Sequence, residues 1–121
     1  MKTLQNIFTS PEKHFTVAKN EINNNKALLP NVLYTQMELF VKTIISEHAN
    51  LAKPAPKLLK LHILKNAYLN DRLHIQAKIK KLNASELLLL VVVKKKNISL
   101  DSTICRAIFM FPLKQNISKA S

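Results

Sequence analysis

Few side chains in this sequence combine a reactive group with reactive neighbours. The chain has 121 residues, with four histidines and one cysteine. No two His, Cys or acidic residues show the spacing of a metal-binding motif, so we expect no metal, and no other cofactor either. Cys105 alternates with Thr103, Ala107 and Phe109, which predicts a buried, inert thiol. Glycine is absent, which excludes a P-loop, a GxGxxG turn and a GxSxG nucleophile elbow.

The histidines have ordinary structural interpretations. His48 falls near the end of a predicted helix, where it would interact favourably with the helix dipole. His62 and His74 fall on strand faces opposite the main apolar residues, which predicts surface positions. His14 begins a predicted strand and would reach a site only if the N-terminal segment folded over it.

Polar residues in an otherwise apolar helical segment form a second group. They include Asn31, Tyr34, Thr35 and Glu38. Glu38 is spaced to pair with Lys42, four residues later, in solvent at the edge of the helix.

The helix that would carry these residues is predicted over Asn31–His48. Pro30 suits its first turn, where a missing N–H is tolerated, and KPAPK (Lys53–Lys57) forbids its continuation. The apolar stripe is broad, so the helix needs walls on most sides, as a curved sheet supplies. The stripe comprises Leu33, Met37, Phe40, Val41, Ile44 and Ile45, widened by Val32 and Leu39.

The remaining strong signals predict β-strands. The run Leu87–Val93 is apolar throughout, which predicts a central strand with both faces covered. Turns are expected at Asn23–Lys26, near Asn70 and at Asn83–Ser85. This order predicts an α+β fold, with one long helix against an antiparallel sheet. The predicted strands are His14–Ile22, Leu58–Lys65 (alternating around Leu59, Leu61 and Ile63), Arg72–Leu82, Leu87–Val93 and Thr103–Phe111.

Composition indicates one globular domain over residues 1–121, with a loose lead-in at 1–11 and a loose tail at 113–121. The N-terminus lacks the apolar stretch of a signal peptide, and the longest apolar segment carries charges that oppose membrane insertion. We therefore expect a cytoplasmic protein that does not enter a membrane.

The formal net charge of +12 attracts polyanions. Nucleic acid is not favoured, because no stacking platform of aromatic residues, helix-turn-helix or zinc pattern is present. An acidic carrier protein or the phosphates of coenzyme A suits the charge equally well. Many of the lysines could also serve only as solvated surface.

Four segments in order carry a resemblance to a known fold family. They are FTVAKNEI (Phe15–Ile22), LPNVLYTQMELF (Leu29–Phe40), LHILKNAYLNDRLHIQAKI (Leu61–Ile79) and TICRAIFMF (Thr103–Phe111). Together they resemble the hot-dog superfamily, and most of all its β-hydroxyacyl carrier-protein dehydratase branch. The resemblance implies a hot-dog fold, in which an antiparallel sheet wraps one long central helix.

The resemblance also implies site residues. Dehydratases of this family use a His before the helix and a Glu or Asp near its start, but here the loop has no histidine and Gln36 takes the carboxylate position. Hot-dog thioesterases often carry a helix carboxylate that acts as base or nucleophile, with helix-start N–H groups stabilising the oxyanion. This pattern points to Glu38 as catalytic residue, in a site with Asn31, Tyr34 and Thr35. Alternatively, Glu38 lies in solvent and pairs only with Lys42, and the sequence leaves both interpretations open. Substrate contacts are expected from Pro30, Asn31, Val32, Tyr34, Thr35 and Asp71.

The resemblance leaves three functions open, all on acyl thioesters of a carrier protein or coenzyme A. The first is a protein of dehydratase descent with a degenerate catalytic pair. The second is a small thioesterase that uses Glu38, and the third is a non-catalytic binding subunit. Sheet edges left open by a single copy predict a homodimer or a larger even oligomer.

Overall fold

The computed structural model of the protein describes residues 11–46, 55–96 and 102–113. One helix packs against a five-stranded antiparallel sheet with strand order β1-β3-β4-β5-β2. The predicted α+β architecture is confirmed, including the meander of the three long strands. The elements are β1 (Glu12–Thr16), α1 (Pro30–Ser46), β2 (Lys57–Ile63), β3 (Arg72–Leu82), β4 (Glu86–Lys95) and β5 (Thr103–Pro112).

The core lies between α1 and the inner face of the sheet. The helix buries one stripe at i, i+3 and i+4 spacing, as its sequence predicts. The strands contribute alternate residues, because successive side chains of a strand point to opposite faces. The buried helix residues are Leu33, Met37, Phe40, Val41 and Ile45. The inner sheet residues include Leu73, Ile75, Ala77, Leu87, Leu89, Val91, Val93, Cys105, Ala107, Phe109 and Phe111.

The first strand is shorter than the predicted His14–Ile22. It covers Glu12–Thr16, and Lys19–Glu21 form a short 3-10 turn. The Glu21 carboxylate accepts a hydrogen bond of 2.8 Å from the Ala18 N–H. This side-chain bond gives the Ala18 amide a local partner in place of a neighbouring strand. The strand is therefore shorter than its β-branched residues alone predicted.

The edge strand β2 differs from prediction in the direction of its side chains. A register shift between Leu58 and Lys60 inserts one extra residue against β5. Because the side-chain period of a strand is two, this bulge reverses the alternation. Leu59 is therefore 49% exposed, although the sequence pattern grouped it with Leu61 on one face. Ile63 keeps the face of Leu61, since it pairs with the inward-facing Cys105, and it is 45% exposed at the end of this edge strand.

Strand β4 is central but has only one fully covered face. Leu87, Leu89, Val91 and Val93 are buried, while the alternate residues are half-buried on the outer face of the sheet. The expectation that both faces are covered is therefore wrong for a single copy of the chain. The half-buried apolar residues of this outer face are Leu88, Leu90 and Val92 of β4 and Ile108 and Met110 of β5.

The predicted turns are present, but in one of them the residue with positive φ is not an asparagine. Asn70 adopts φ 72°, as an Asn in a turn readily does, but in the earlier turn Lys26 takes the positive φ of 63°. Asn23 instead closes that turn through its side chain, whose Oδ1 accepts bonds from the amides of Asn25 (2.8 Å) and Ala27 (3.1 Å). Asn83 does the same for the β3–β4 hairpin.

The ends of several predicted elements lie outside the described residues. This applies to His48, to the first part of the KPAPK segment, to most of the predicted N-terminal lead-in and to most of the C-terminal tail. The described residues of the lead-in and of the tail form hydrogen bonds with the sheet and with its β3–β4 hairpin. The Pro11 carbonyl accepts a bond from Ala77, and the Leu113 amide donates to Ser85. Within the described ranges, no helix has the length and hydropathy to cross a membrane.

Candidate functional site

One flank of α1 carries a connected set of polar side chains. The Tyr34 hydroxyl donates a hydrogen bond of 3.0 Å to Oε2 of Glu38. The other carboxylate oxygen, Oε1, lies 3.8 Å from Nζ of Lys42. The three residues are spaced by four and therefore stack along one side of the helix. Glu38 is thus held between a hydroxyl and an ammonium group, with 28% of its side chain exposed.

Tyr34 connects this flank to the core. Its ring lies 6.0 Å from the ring of Phe109, a fully buried residue of β5. Burial raises the pKa of the Tyr34 phenol, and the hydrogen bond to Glu38 and the negative charge of that carboxylate raise it further. The phenol therefore stays protonated at neutral pH and remains a hydrogen-bond donor to Glu38.

Gln36 lies on the opposite flank of the helix from Glu38. At about 100° per residue, two positions differ by about 200°, so the side chains point away from each other. Gln36 is half-buried, and its buried Oε1 has no hydrogen-bond partner among the described residues. The two residues predicted as catalytic therefore lie on opposite flanks of the helix within a single chain.

The beginning of α1 carries four of the predicted substrate-contacting residues, with different environments. Pro30, Asn31 and Thr35 are exposed, whereas Val32 packs against the core. The Thr35 hydroxyl donates to the Asn31 carbonyl at 2.8 Å. This places Asn31 and Thr35 on the side of the helix that also carries Glu38, and Val32 on the side of Gln36.

Most backbone amides at this helix start are already engaged. The Leu29 carbonyl accepts bonds of 3.1 Å from the amides of both Val32 and Leu33, and Pro30 has no N–H. Among the described residues, this leaves the Asn31 amide as the first-turn donor for an oxyanion. The first turn of a helix normally has several backbone amides without a partner in the helix. Among the described residues, only one such amide is available here.

Asp71 has a structural partner on each side. Its Oδ2 accepts a hydrogen bond of 2.8 Å from the Tyr68 amide and lies 3.4 Å from Nζ of Lys95. The same ammonium group sits 5.4 Å from the centre of the Tyr68 ring. Asp71 therefore fixes the turn before β3. That turn lies beside the loop that leads into α1, because the Leu28 amide donates to Ala67.

The cleft beside the start of the helix, among the residues that the structure describes, does not provide room for an acyl chain in one copy of the chain. The cleft at the helix start, lined by Leu28, Pro30, Leu33 and Ile104 among others, holds only about 30 Å³, roughly the space of a water molecule. The larger clefts lie on the outer face of the sheet, around Leu90. They are separated from Glu38 by the sheet, so we do not assign them to the same site.

The structure also assembles a polar cluster that the sequence spacing did not reveal. Glu12 and His14 of β1 and His74 of β3 bring one potential ligand atom each to within 4.8 Å of one another. His14 and His74 are direct partners in the β1–β3 register. Linear spacing could suggest only the pair Glu12 and His14, because the third member depends on the strand register.

Cys105 is buried and unreactive, as predicted. Burial raises the pKa of its thiol to about 11, and its Sγ lies 3.9 Å from Sδ of Met37. The thiolate, which is the nucleophilic form, is therefore scarce at neutral pH. Cys105 contributes packing between β5 and α1.

Comparison with known proteins gives matches in structure but not in sequence. No protein-family model and no curated protein sequence matches the chain. By contrast, 233 chains of solved structures match it. A hypothetical thioesterase from Streptococcus pneumoniae with coenzyme A has a TM-score of 0.69 and 15% identity, over 88% of this chain and 79% of that one.

Two further solved structures illustrate the same likeness. An acyl-CoA hydrolase from Staphylococcus aureus in complex with butyryl coenzyme A has a TM-score of 0.74 at 12% identity, over 90% of this chain and 68% of that one. A 1,4-dihydroxy-2-naphthoyl-CoA thioesterase from Synechocystis has a TM-score of 0.67 at 11% identity, over 88% and 83%. With its helix against a five-stranded antiparallel sheet, this chain has the hot-dog fold.

Proposed function

We propose that the protein is a thioesterase that hydrolyses acyl-CoA thioesters, with Glu38 as its catalytic carboxylate. The observation that carries the proposal is the placement of Glu38. It is a partly exposed carboxylate on the central helix of a hot-dog fold, oriented by Tyr34 and close to Lys42. The three solved structures described above are a hypothetical thioesterase, an acyl-CoA hydrolase and a thioesterase, which favours hydrolysis over dehydration.

The chemistry requires one carboxylate and one water molecule. Glu38 accepts a proton from water, whose oxygen attacks the acyl carbon. The carbon–sulfur bond then breaks, and the proton passes to the departing thiolate, which gives a carboxylic acid and free coenzyme A. The Asn31 amide is the helix-start donor available for the oxyanion. Direct attack by Glu38 through an anhydride intermediate uses the same residue and gives the same products.

The chemistry of the two side chains supports Glu38 over Gln36. A carboxylate can accept a proton from water, whereas a neutral side-chain amide is not a useful general base.

We further propose that two copies of the chain complete the acyl-binding site. A single copy has only a very small cleft beside the helix start. Strand β2 is an edge strand whose Leu59 and Ile63 are almost half exposed. Unpaired edge strands with apolar side chains favour association with another strand. A second copy on this edge would cover those side chains and enclose the acyl chain between the two helices.

The charge of the protein fits a phosphate-bearing substrate. Coenzyme A carries several phosphate charges, and the net charge of +12 accelerates encounters with anions at low ionic strength. An acyl carrier protein presents the same phosphopantetheine arm and remains the alternative donor of the acyl group. We keep the cytoplasm as the proposed location, since thiols persist there in reduced form.

The dehydratase interpretation ranks second, because one sequence feature favours it. The PNVL entry into the helix (Pro30–Leu33) resembles that branch. However, an amide at Gln36 cannot donate a proton to a departing hydroxyl as a carboxylic acid does. A non-catalytic subunit that binds acyl groups ranks third.

One experiment separates these functions. Purified protein is incubated with matched acyl and 3-hydroxyacyl thioesters of coenzyme A and of a carrier protein, and the products are identified by mass spectrometry. The proposal predicts loss of the whole acyl group from coenzyme A thioesters. Loss of a single water molecule would identify a dehydratase. If all substrates stay intact, the protein is not an enzyme of either kind.

A further inference from the structure

The cluster of Glu12, His14 and His74 is a site distinct from the flank of Glu38. It lies on the outer face of the sheet, because the neighbouring residues Leu73 and Ile75 of β3 point inward and are fully buried. Glu12 and His14 are two residues apart on β1 and so share this face. His74 joins them as the direct cross-strand partner of His14.

The distances within the cluster suit a metal ion. Oε1 of Glu12 lies 3.4 Å from Nε2 of His14 and 3.3 Å from Nε2 of His74. Ligand atoms held about 2.1 Å from a tetrahedral zinc ion are about 3.4 Å from each other. The distance from the carboxylate oxygen to each imidazole nitrogen therefore already equals the distance between two ligand atoms in a tetrahedral zinc site.

One of the three ligands has an unfilled bonding requirement. Nε2 of His74 is buried and has no hydrogen-bond partner among the described residues, although the Glu12 carboxylate is 3.3 Å away. Buried polar atoms in folded proteins almost always have a partner. A metal ion placed between Glu12 and the two imidazoles would satisfy this nitrogen.

Ion binding requires one modest rearrangement. The two imidazole rings are stacked, with centroids 4.4 Å apart and planes inclined by 9°, so their Nε2 lone pairs lie in two nearly parallel planes. Rotation of the His14 ring turns its nitrogen toward the position between Glu12 and His74. The side chain of His14 is 47% exposed, which leaves it free to rotate.

We infer that Glu12, His14 and His74 bind one late first-row divalent cation, with Zn²⁺ as its representative. Two neutral imidazoles and a carboxylate match the ligand preferences of zinc, and water would complete the coordination shell. The ion would tie the five-residue strand β1 to β3, its partner in the sheet. Lys94, which pairs with His74 from β4, opposes the cation, so its replacement by Gln should tighten binding.

The test is a calorimetric titration of the full-length, tag-free, chelator-treated protein with Zn²⁺. We expect saturable binding of one ion per chain. His14→Ala, His74→Ala and Glu12→Gln should each weaken it by about tenfold to a hundredfold or more. His62→Ala is the matched control, because His62 is exposed on β2, across the sheet from the cluster, and it should bind as the unaltered protein does.

A second measurement guards against variants that misfold. Zn²⁺ should raise the thermal midpoint of the unaltered protein and of His62→Ala, but not that of His14→Ala. Because His14 is exposed, its replacement by Ala should leave the fold intact. Absence of saturable Zn²⁺ binding would overturn the proposal. Binding that survives in His14→Ala, His74→Ala and Glu12→Gln, or that is lost in His62→Ala, would overturn it as well.

Discussion

The hydroxyl of Tyr34 donates a 3.0 Å hydrogen bond to the carboxylate of Glu38, one helical turn further along α1. This bond gives the candidate catalytic carboxylate a fixed orientation, because the Tyr34 ring is itself packed near Phe109. The pKa of Tyr34 also reports on the charge of Glu38, because that charge raises it. Several consequences of this arrangement can be measured.

Glu38→Gln should lower the pKa of the Tyr34 phenol toward its ordinary value. The substitution removes the negative charge and the carboxylate acceptor that, after burial, raise this pKa. Phenolate formation can be followed by ultraviolet absorbance near 295 nm, with Tyr34→Phe identifying the Tyr34 component. Glu86→Gln, at the start of β4, is the matched control and should leave the titration unchanged. An unchanged curve for Glu38→Gln would mean that the hydrogen bond does not persist in solution.

The stability contributed by Tyr34 should decline at alkaline pH. Its pKa is raised in the folded state above the ordinary value of a tyrosine, about 10, so the folded protein retains this proton to higher pH than the unfolded chain does. The contribution is then fully present below about pH 10 and is lost as the pH rises through the folded-state pKa. Chemical denaturation at several pH values should therefore show a difference between the unaltered protein and Tyr34→Phe that narrows at high pH. A difference that widens with pH would contradict this sign.

Phe109→Ala should destabilise the protein strongly. Phe109 is fully buried on β5 beneath Tyr34, and removal of a buried Phe ring costs about 3–5 kcal/mol. Leu39→Ala is the control on an exposed helix position, where a change within about 0.5 kcal/mol is expected. Urea unfolding measures both values. Equal losses for the two variants would contradict the described core.

Ile63→Lys should disrupt the proposed dimer. Ile63 is 45% exposed on the edge strand β2, and a charge there opposes strand-to-strand association. Light scattering after size exclusion should give twice the 13.8 kDa chain mass for the unaltered protein and a single chain mass for the variant. Leu39→Lys, equally exposed but on the helix, should remain dimeric. A dimer that tolerates Ile63→Lys and dissociates with Leu39→Lys would place the interface on the helix.

Much of the fold follows from local pattern, because burial on one face imposes a period on the sequence. The helix start at Pro30 and the bounds of β3 could be predicted since turn residues and apolar periodicity agree there. The exposure of Leu59 could not, because the bulge after Leu58 depends on pairing with β5. Local pattern carries no information on such pairing.

The candidate site was predictable only in part, for a similar reason. Spacing by four residues links Tyr34, Glu38 and Lys42, and both interpretations offered for Glu38 draw on it. The meeting of His14 with His74 depends on the register between β1 and β3, which the sequence does not encode locally. The size of the proposed acyl-binding site depends on where a second copy of the chain binds. The sequence alone does not give that position.

The central proposal is tested most directly by the rate of coenzyme A release from a series of acyl-CoA thioesters, measured with a thiol reagent. The buried Cys105, with its thiol pKa raised to about 11, adds little background. We predict turnover by the unaltered protein and by Glu86→Gln, and a loss of about a hundredfold or more in kcat for a folded Glu38→Gln variant, as expected when a general base is removed. Full activity of Glu38→Gln would contradict the role of Glu38, and absence of release from every acyl-CoA would contradict the proposed function itself.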